Sequence, residues 1–184
     1  MATLVSWFLD ALPAIVAFAS LIVAISLALA ASRARRAGWR AALGSTMPDA
    51  MLLVALGAIA VLTLGDPMGP QPDRFNLVPF RDQWWALQGV VDPALAAATL
   101  VGNVLLFVPL GAALAARHLE VGAGRLVLWA AAISVAVEAA QGLMNVGRLA
   151  DITDVMANTA GAAVGVALWG AVVGGKSSKD ERSV

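Results

Sequence analysis

The chain has 184 residues, 60% of them hydrophobic and 13% charged, with a mean hydropathy of +0.83. An ordinary soluble domain is about 45–50% apolar and about 25% charged, so this chain is not one. Net charge is zero with no basic arm, which argues against nucleic acid; with no cysteine and a single histidine, His118, disulfides, thiolate sites and a multi-histidine metal centre within one chain are excluded.

Five apolar runs occur in order, at 12–31, 48–64, 95–116, 126–144 and 155–173. A helix needs about 20 apolar residues to cross the hydrocarbon. The pattern predicts an all-α integral membrane protein, a bundle of about five transmembrane helices over 1–174. The second run is short for a span. The polar segment 175–184 reads as a disordered cytoplasmic tail.

The first run is tested against a signal peptide. Residues 28–30 have the small-x-small form of a cleavage site, yet residues 1–11 hold no Lys or Arg. The basic residues Arg33, Arg35, Arg36 and Arg40 follow the run instead, as they do after a retained anchor whose N-terminus is outside. With that orientation the inner segments hold nine basic residues: those four, Arg117, Arg125, Lys176, Lys179 and Arg182. The outer segments hold three: Arg74, Arg81 and Arg148. Nine against three gives N-out, C-in.

The connection 66–94 is the only one with room for structure. Its first half is rich in Pro and Gly and predicts turns and extended chain. Its second half, RDQWWALQGVV, reads either as a short helix in the membrane interface with Trp84 and Trp85 down, or as an ordinary surface loop.

Polar residues inside the spans gather at one end. Asn103 lies about two turns into the third span from its outer end. Glu138 lies roughly 9 Å below the outer end of the fourth, at 1.5 Å per residue, with Gln141 one turn above it. Arg148, Asp151, Asp154 and Asn158 lead into the fifth. On a helix, Asp151, Asp154, Asn158, Gly161 and Gly165 would form one stripe. The inner half holds no comparable set, which counts against a transporter. Pro109 removes the hydrogen bond to the Leu105 carbonyl and predicts a kink below Asn103. Gly161 and Gly165 allow another helix to come close.

Two explanations of this cluster stand side by side. One is a clamp that locks the order of the spans, with Arg148 paired to Asp151 or Asp154, and Glu138 to Gln141 or Asn103. The other is a ligand site, because three carboxylates beside one arginine leave a cation, a cationic ligand or a proton to be supplied. In an enzyme, Glu138 would be the proton donor or base. Asp151 and Asp154 could then hold Mg²⁺ or Ca²⁺ through oxygen ligands, although no cofactor is evident.

Several ordered blocks carry a resemblance. They are Asn76-Leu-Val-Pro79-Phe80, Asn103-x-x-x-Phe107-x-Pro109-x-Gly111, Glu138-x-x-Gln141, and Arg148-x-x-Asp151-x-x-Asp154-x-x-x-Asn158-x-x-Gly161. Within 73–173 the chain resembles the VanZ-like membrane proteins. Thr153 departs from the acidic or amide residue expected there in many relatives. The resemblance implies a protein of the bacterial cytoplasmic membrane with a link to the cell envelope and to teicoplanin resistance. It adds Asn76 to the candidate ligand-binding residues. The ligand it suggests is a lipid-linked envelope precursor or a glycopeptide; an enzyme acting on a lipid-linked substrate at the outer leaflet is the alternative.

Overall fold

The computed structural model describes residues 2–64, 73–144 and 149–180. Six helices and two very short strands follow in the order α1 (Ala2–Ala37), α2 (Trp39–Leu64), β1 (Phe75–Asn76), α3 (Arg81–Leu87), α4 (Pro93–Arg117), α5 (Ala123–Met144), β2 (Ala150–Asp151) and α6 (Ile152–Asp180). Five of the helices are long and apolar enough to cross a bilayer, over Val16–Ala37, Trp39–Thr63, Pro93–Arg117, Ala123–Met144 and Ile152–Val173. With no water in the hydrocarbon, each span must satisfy its own backbone, and a helix does so.

The second span differs from the expectation. The sequence starts it at Pro48, next to Asp49, where a proline and a charge look like a boundary. The helix instead begins at Trp39 and carries Pro48 inside it, giving 26 residues, ample for a crossing. Asp49 is tolerated there because Arg33 of α1 and Arg117 of α4 both pair with its carboxylate. A single residue, Gly38, joins α1 to α2 in the left-handed region at φ +78°, which glycine adopts without a Cβ clash. The last helix also exceeds its expected length. Its backbone runs to Asp180, into the segment expected to be a tail, since the two glycines at 174 and 175 lower helix propensity without removing a hydrogen bond.

At the core, α4 packs against α6, α2 and α5, while α1 lies outside against α2. Phe107 and Leu110 of α4 are fully buried among Ile59 of α2, Ala130 of α5 and Ala162 of α6. The contact between α4 and α6 is backbone to backbone. A Cβ added at Gly161 would strike the Val104 carbonyl, one at Gly165 the Val108 carbonyl, and one at Gly111 the Ala162 carbonyl. The close approach expected of Gly161 and Gly165 is therefore found, with α4 as the partner.

β1 and β2 form one parallel pair in the register Phe75↔Ala150 and Asn76↔Asp151. The Ala150 N–H donates to the Arg74 carbonyl at 3.0 Å. This pair draws the long connection onto the end of the bundle where α5 stops and α6 starts. The sequence reads that stretch as extended chain, and two residues are too few to show a strand period.

Candidate functional site

The site is built where β1, β2 and the ends of α5 and α6 meet. Asn76 is buried, and its side chain works in two directions. Its Oδ1 accepts from the Val78 N–H at 3.1 Å, closing a local turn, and its Nδ2 donates to Asp151 Oδ2 at 2.7 Å. The other Asp151 oxygen accepts from the Thr153 N–H at 2.7 Å. That is an N-cap: Asp151 precedes the first residue of α6 and satisfies one of the donors that every helix start leaves open. The Asp151 N–H in turn donates to Glu138 Oε2 at 2.8 Å. Asn76, Asp151 and Glu138, 75 and 13 residues apart along the chain, thus form one hydrogen-bonded chain. The carboxylates also lie at the positive end of the α6 dipole, where negative charge is favoured.

Thr153, where the resemblance expects an acidic or amide residue, has a clear role here. Its Oγ1 accepts from the Phe80 N–H at 2.8 Å. Phe80 is the one non-glycine with positive φ among the described residues, at φ 56°. A bulky residue in that region is strained and persists only where its surroundings hold it. Thr153 and the start of α3 supply that hold.

Three further candidates lie deeper. Gln141 donates from Nε2 to the Thr63 carbonyl of α2 at 2.7 Å, taking up one of the open carbonyls at that helix's end. Asn158 donates from Nδ2 to Ser134 Oγ of α5 at 2.9 Å. The opposite oxygens, Gln141 Oε1 and Asn158 Oδ1, are buried and meet no hydrogen-bond partner among the described residues. Asn103 is buried with its Nδ2 in the same state, beside a cleft of about 580 Å³ lined by Leu62 of α2 and by Thr99, Gly102, Leu105 and Leu106 of α4.

Some sequence expectations are corrected. Asp151 is not on the α6 stripe: it sits in β2 and caps the helix, so the stripe begins at Asp154 in the first turn of α6. Of the residues in the expected clamp, Gln141 bonds to Thr63 of α2 and Glu138 accepts from the Asp151 backbone. Arg148 lies outside the described residues. Asp151 and Asp154 do not belong to any cluster of three or more His, Cys, Asp or Glu side chains that could hold a metal ion among the described residues. Nor is polar chemistry confined to one end. At the opposite end Arg33 Nη2 pairs with Asp49 at 2.6 Å, Arg33 Nη1 donates to the Ser45 carbonyl at 2.7 Å, and Arg117 Nε pairs with Asp49. Sequence reasoning missed Asp49 because it took Pro48 as a boundary. It missed Ser134 because a single serine in an apolar run carries no pattern.

A family model described as VanZ/LLP1 matches residues 50–173. The chain belongs to the VanZ/LLP1 family. The match runs from the middle of α2 to the end of the last span, so the VanZ/LLP1 region holds Asn76, Asn103, Glu138, Gln141, Asp151, Asp154 and Asn158, while α1 precedes it. Together with the five spans, membership makes the chain an integral membrane protein of VanZ-like type. No curated protein and no solved structure matches it.

Proposed function

We propose that this VanZ-like protein is a binding protein of the bacterial cytoplasmic membrane, whose Asn76–Asp151–Glu138 end faces outward and takes the polar part of an envelope-related ligand, a lipid-linked precursor or a glycopeptide. The orientation rests on the nine-to-three split of basic residues. The observation that carries the reading is the character of the polar atoms at this end. Glu138 and Asp151 supply carboxylates, and Gln141 Oε1 and Asn158 Oδ1 are buried acceptors with no partner among the described residues. An unmet buried polar atom costs about 1–3 kcal/mol, so a ligand that brings donors gains that much for each one it reaches. Hydroxyl, amide and ammonium groups, the donors of saccharides and peptides, fit such a set. A role in teicoplanin resistance would follow from the same chemistry.

The test uses the full chain in lipid nanodiscs, with teicoplanin and a lipid-linked cell-wall saccharide as probes. Glu138→Gln keeps an oxygen for the Asp151 N–H and removes the charge. Losing one charge-assisted hydrogen bond should weaken binding about tenfold or more. Binding of neither probe to the wild-type protein, or equal affinity in the variant, would overturn the reading. Expression in a sensitive host should lower teicoplanin susceptibility in wild-type form; unchanged susceptibility would remove the glycopeptide as the ligand.

A further inference from the structure

The segment between β1 and α4 lies outside the five spans, yet its surface is apolar. Leu77 is 77% exposed, Trp84 60%, Leu87 82% and Val90 67%. Large apolar side chains exposed together in one short segment call for a cover. Three observations say at what depth these lie. Gln83 Nε2 donates to the Ala96 carbonyl at 3.3 Å, in the first turn of α4. The Phe80 N–H donates to Thr153, in the first turn of α6. The Phe75 ring packs against Gly142, near the end of α5. The segment is therefore fastened beside the ends of three spans, where hydrocarbon gives way to headgroups.

We propose that residues 77–90 form a membrane-surface anchor that seats its apolar side chains in the lipid at this end of the bundle and so holds the Asn76–Asp151–Glu138 cluster at headgroup depth. The lipid surface is the occupant because the span ends to which the segment is fastened are themselves exposed and apolar: Leu95 of α4 is 61% exposed, and Leu143 and Met144 at the end of α5 are 74% and 59%. The side chains also suit that boundary. Tryptophan favours it, and the Arg81 guanidinium lies 4.7 Å from the centre of the Trp85 ring, so its charge rests on an aromatic face. Within residues 73–92 the charges are Asp73, Asp82 and Asp92 against Arg74 and Arg81, an excess of one negative charge, and the adjoining Asp151 and Glu138 add no positive one. Anchoring is thus apolar, and neither salt nor anionic lipid should strengthen it. The anchor is tied to the site by two bonds, Asn76 to Asp151 and Phe80 to Thr153. A ligand would reach the site along the membrane surface. This inference does not depend on what that ligand is.

The chain has no cysteine, so single labels are clean. Leu77→Cys, Leu87→Cys and Val90→Cys, with Asp82→Cys as a polar control, are spin-labelled in the full-length protein and reconstituted into phosphatidylcholine vesicles. Power saturation then compares collision with oxygen, which partitions into lipid, and with a nickel chelate, which stays in water. Labels at 77, 87 and 90 should favour oxygen and the label at 82 the chelate, with no shift on adding phosphatidylglycerol or salt. Preference for the chelate at 77 and 87 would overturn the proposal, as would exclusion of both reagents, which marks a protein cover. Should a labelled variant fail to fold, quenching by bromine-bearing phosphatidylcholine decides: Trp84→Phe should lose part of the tryptophan quenching seen in the wild type, and an unchanged quenched fraction would overturn it equally.

Discussion

Asp151 shows how one side chain can be both part of the scaffold and part of a candidate site. Each of its oxygens has a donor: the Thr153 N–H on one, Asn76 Nδ2 on the other. The asparagine in Asp151→Asn has only one oxygen, so one donor is left unmet. Asn caps a helix about as well as Asp, so the capping bond should survive and the Asn76 bond should be lost. The expected cost is about 1–3 kcal/mol, read as a lower melting temperature in detergent. Asp151→Ala should cost more, since the cap goes too. A double-mutant cycle of Asn76→Ala with Asp151→Ala should give a coupling of about 0.5–3 kcal/mol; strict additivity would mean the two side chains do not act on each other. At this scale the sequence was partly legible. Asp151-x-x-Asp154 is a helix-start signature as much as a site motif, and spacing alone does not separate the two. Asn76 was reached only through the family resemblance, because an asparagine in a Pro/Gly-rich loop carries no period.

Among the elements, the α4–α6 pair depends most on single atoms. Gly111, Gly161 and Gly165 each face a backbone carbonyl of the other helix, with no room for a methyl group. Gly161→Ala must push the helices apart, and overpacking of this kind costs about 1–3 kcal/mol. Gly161→Leu should cost more and lower the yield of folded protein. Gly102 makes the control, for it lies on the same α4 with nothing within 4 Å of an added Cβ. There alanine should be neutral or stabilising by up to about 1 kcal/mol through its helix propensity. Equal effects at positions 102 and 161 would show that the close approach of α4 and α6 does not set the cost. The apolar runs and the small-residue spacing made these helices and their close approach readable in advance. The start of α2 was not readable, because a proline followed by a charge looks like a helix boundary until Arg33 and Arg117 are seen beside Asp49. The β1–β2 pair joins segments 75 residues apart and is set by tertiary contact, beyond any local pattern.

On the scale of the whole molecule, two polar ends face opposite sides of the bundle. Asp49 with Arg33 and Arg117 closes one, tying α1 and α2 to α4. The strand pair, Glu138 and Gln141 close the other, tying the long connection, α5, α2 and α6. Which end meets the cytoplasm determines whether the candidate site is reached from outside the cell or from within it. The basic residues decide the expectation. Arg33, Arg35, Arg36, Arg40, Arg117 and Arg125 all belong to the Asp49 end, and translocating such a cluster is disfavoured. Asp73→Cys, at the strand end, should therefore react with a membrane-impermeant maleimide in intact cells. Leu119→Cys, between α4 and α5 at the Asp49 end and 70% exposed, should react only after the cells are opened. Both positions are exposed and lie outside the helices, so neither label should disturb the fold. The reverse pattern would turn the Glu138–Asp151 cluster toward the cytoplasm and end the case for an extracellular glycopeptide, while leaving the hydrogen-bonded network and the depth of the 77–90 anchor as they stand.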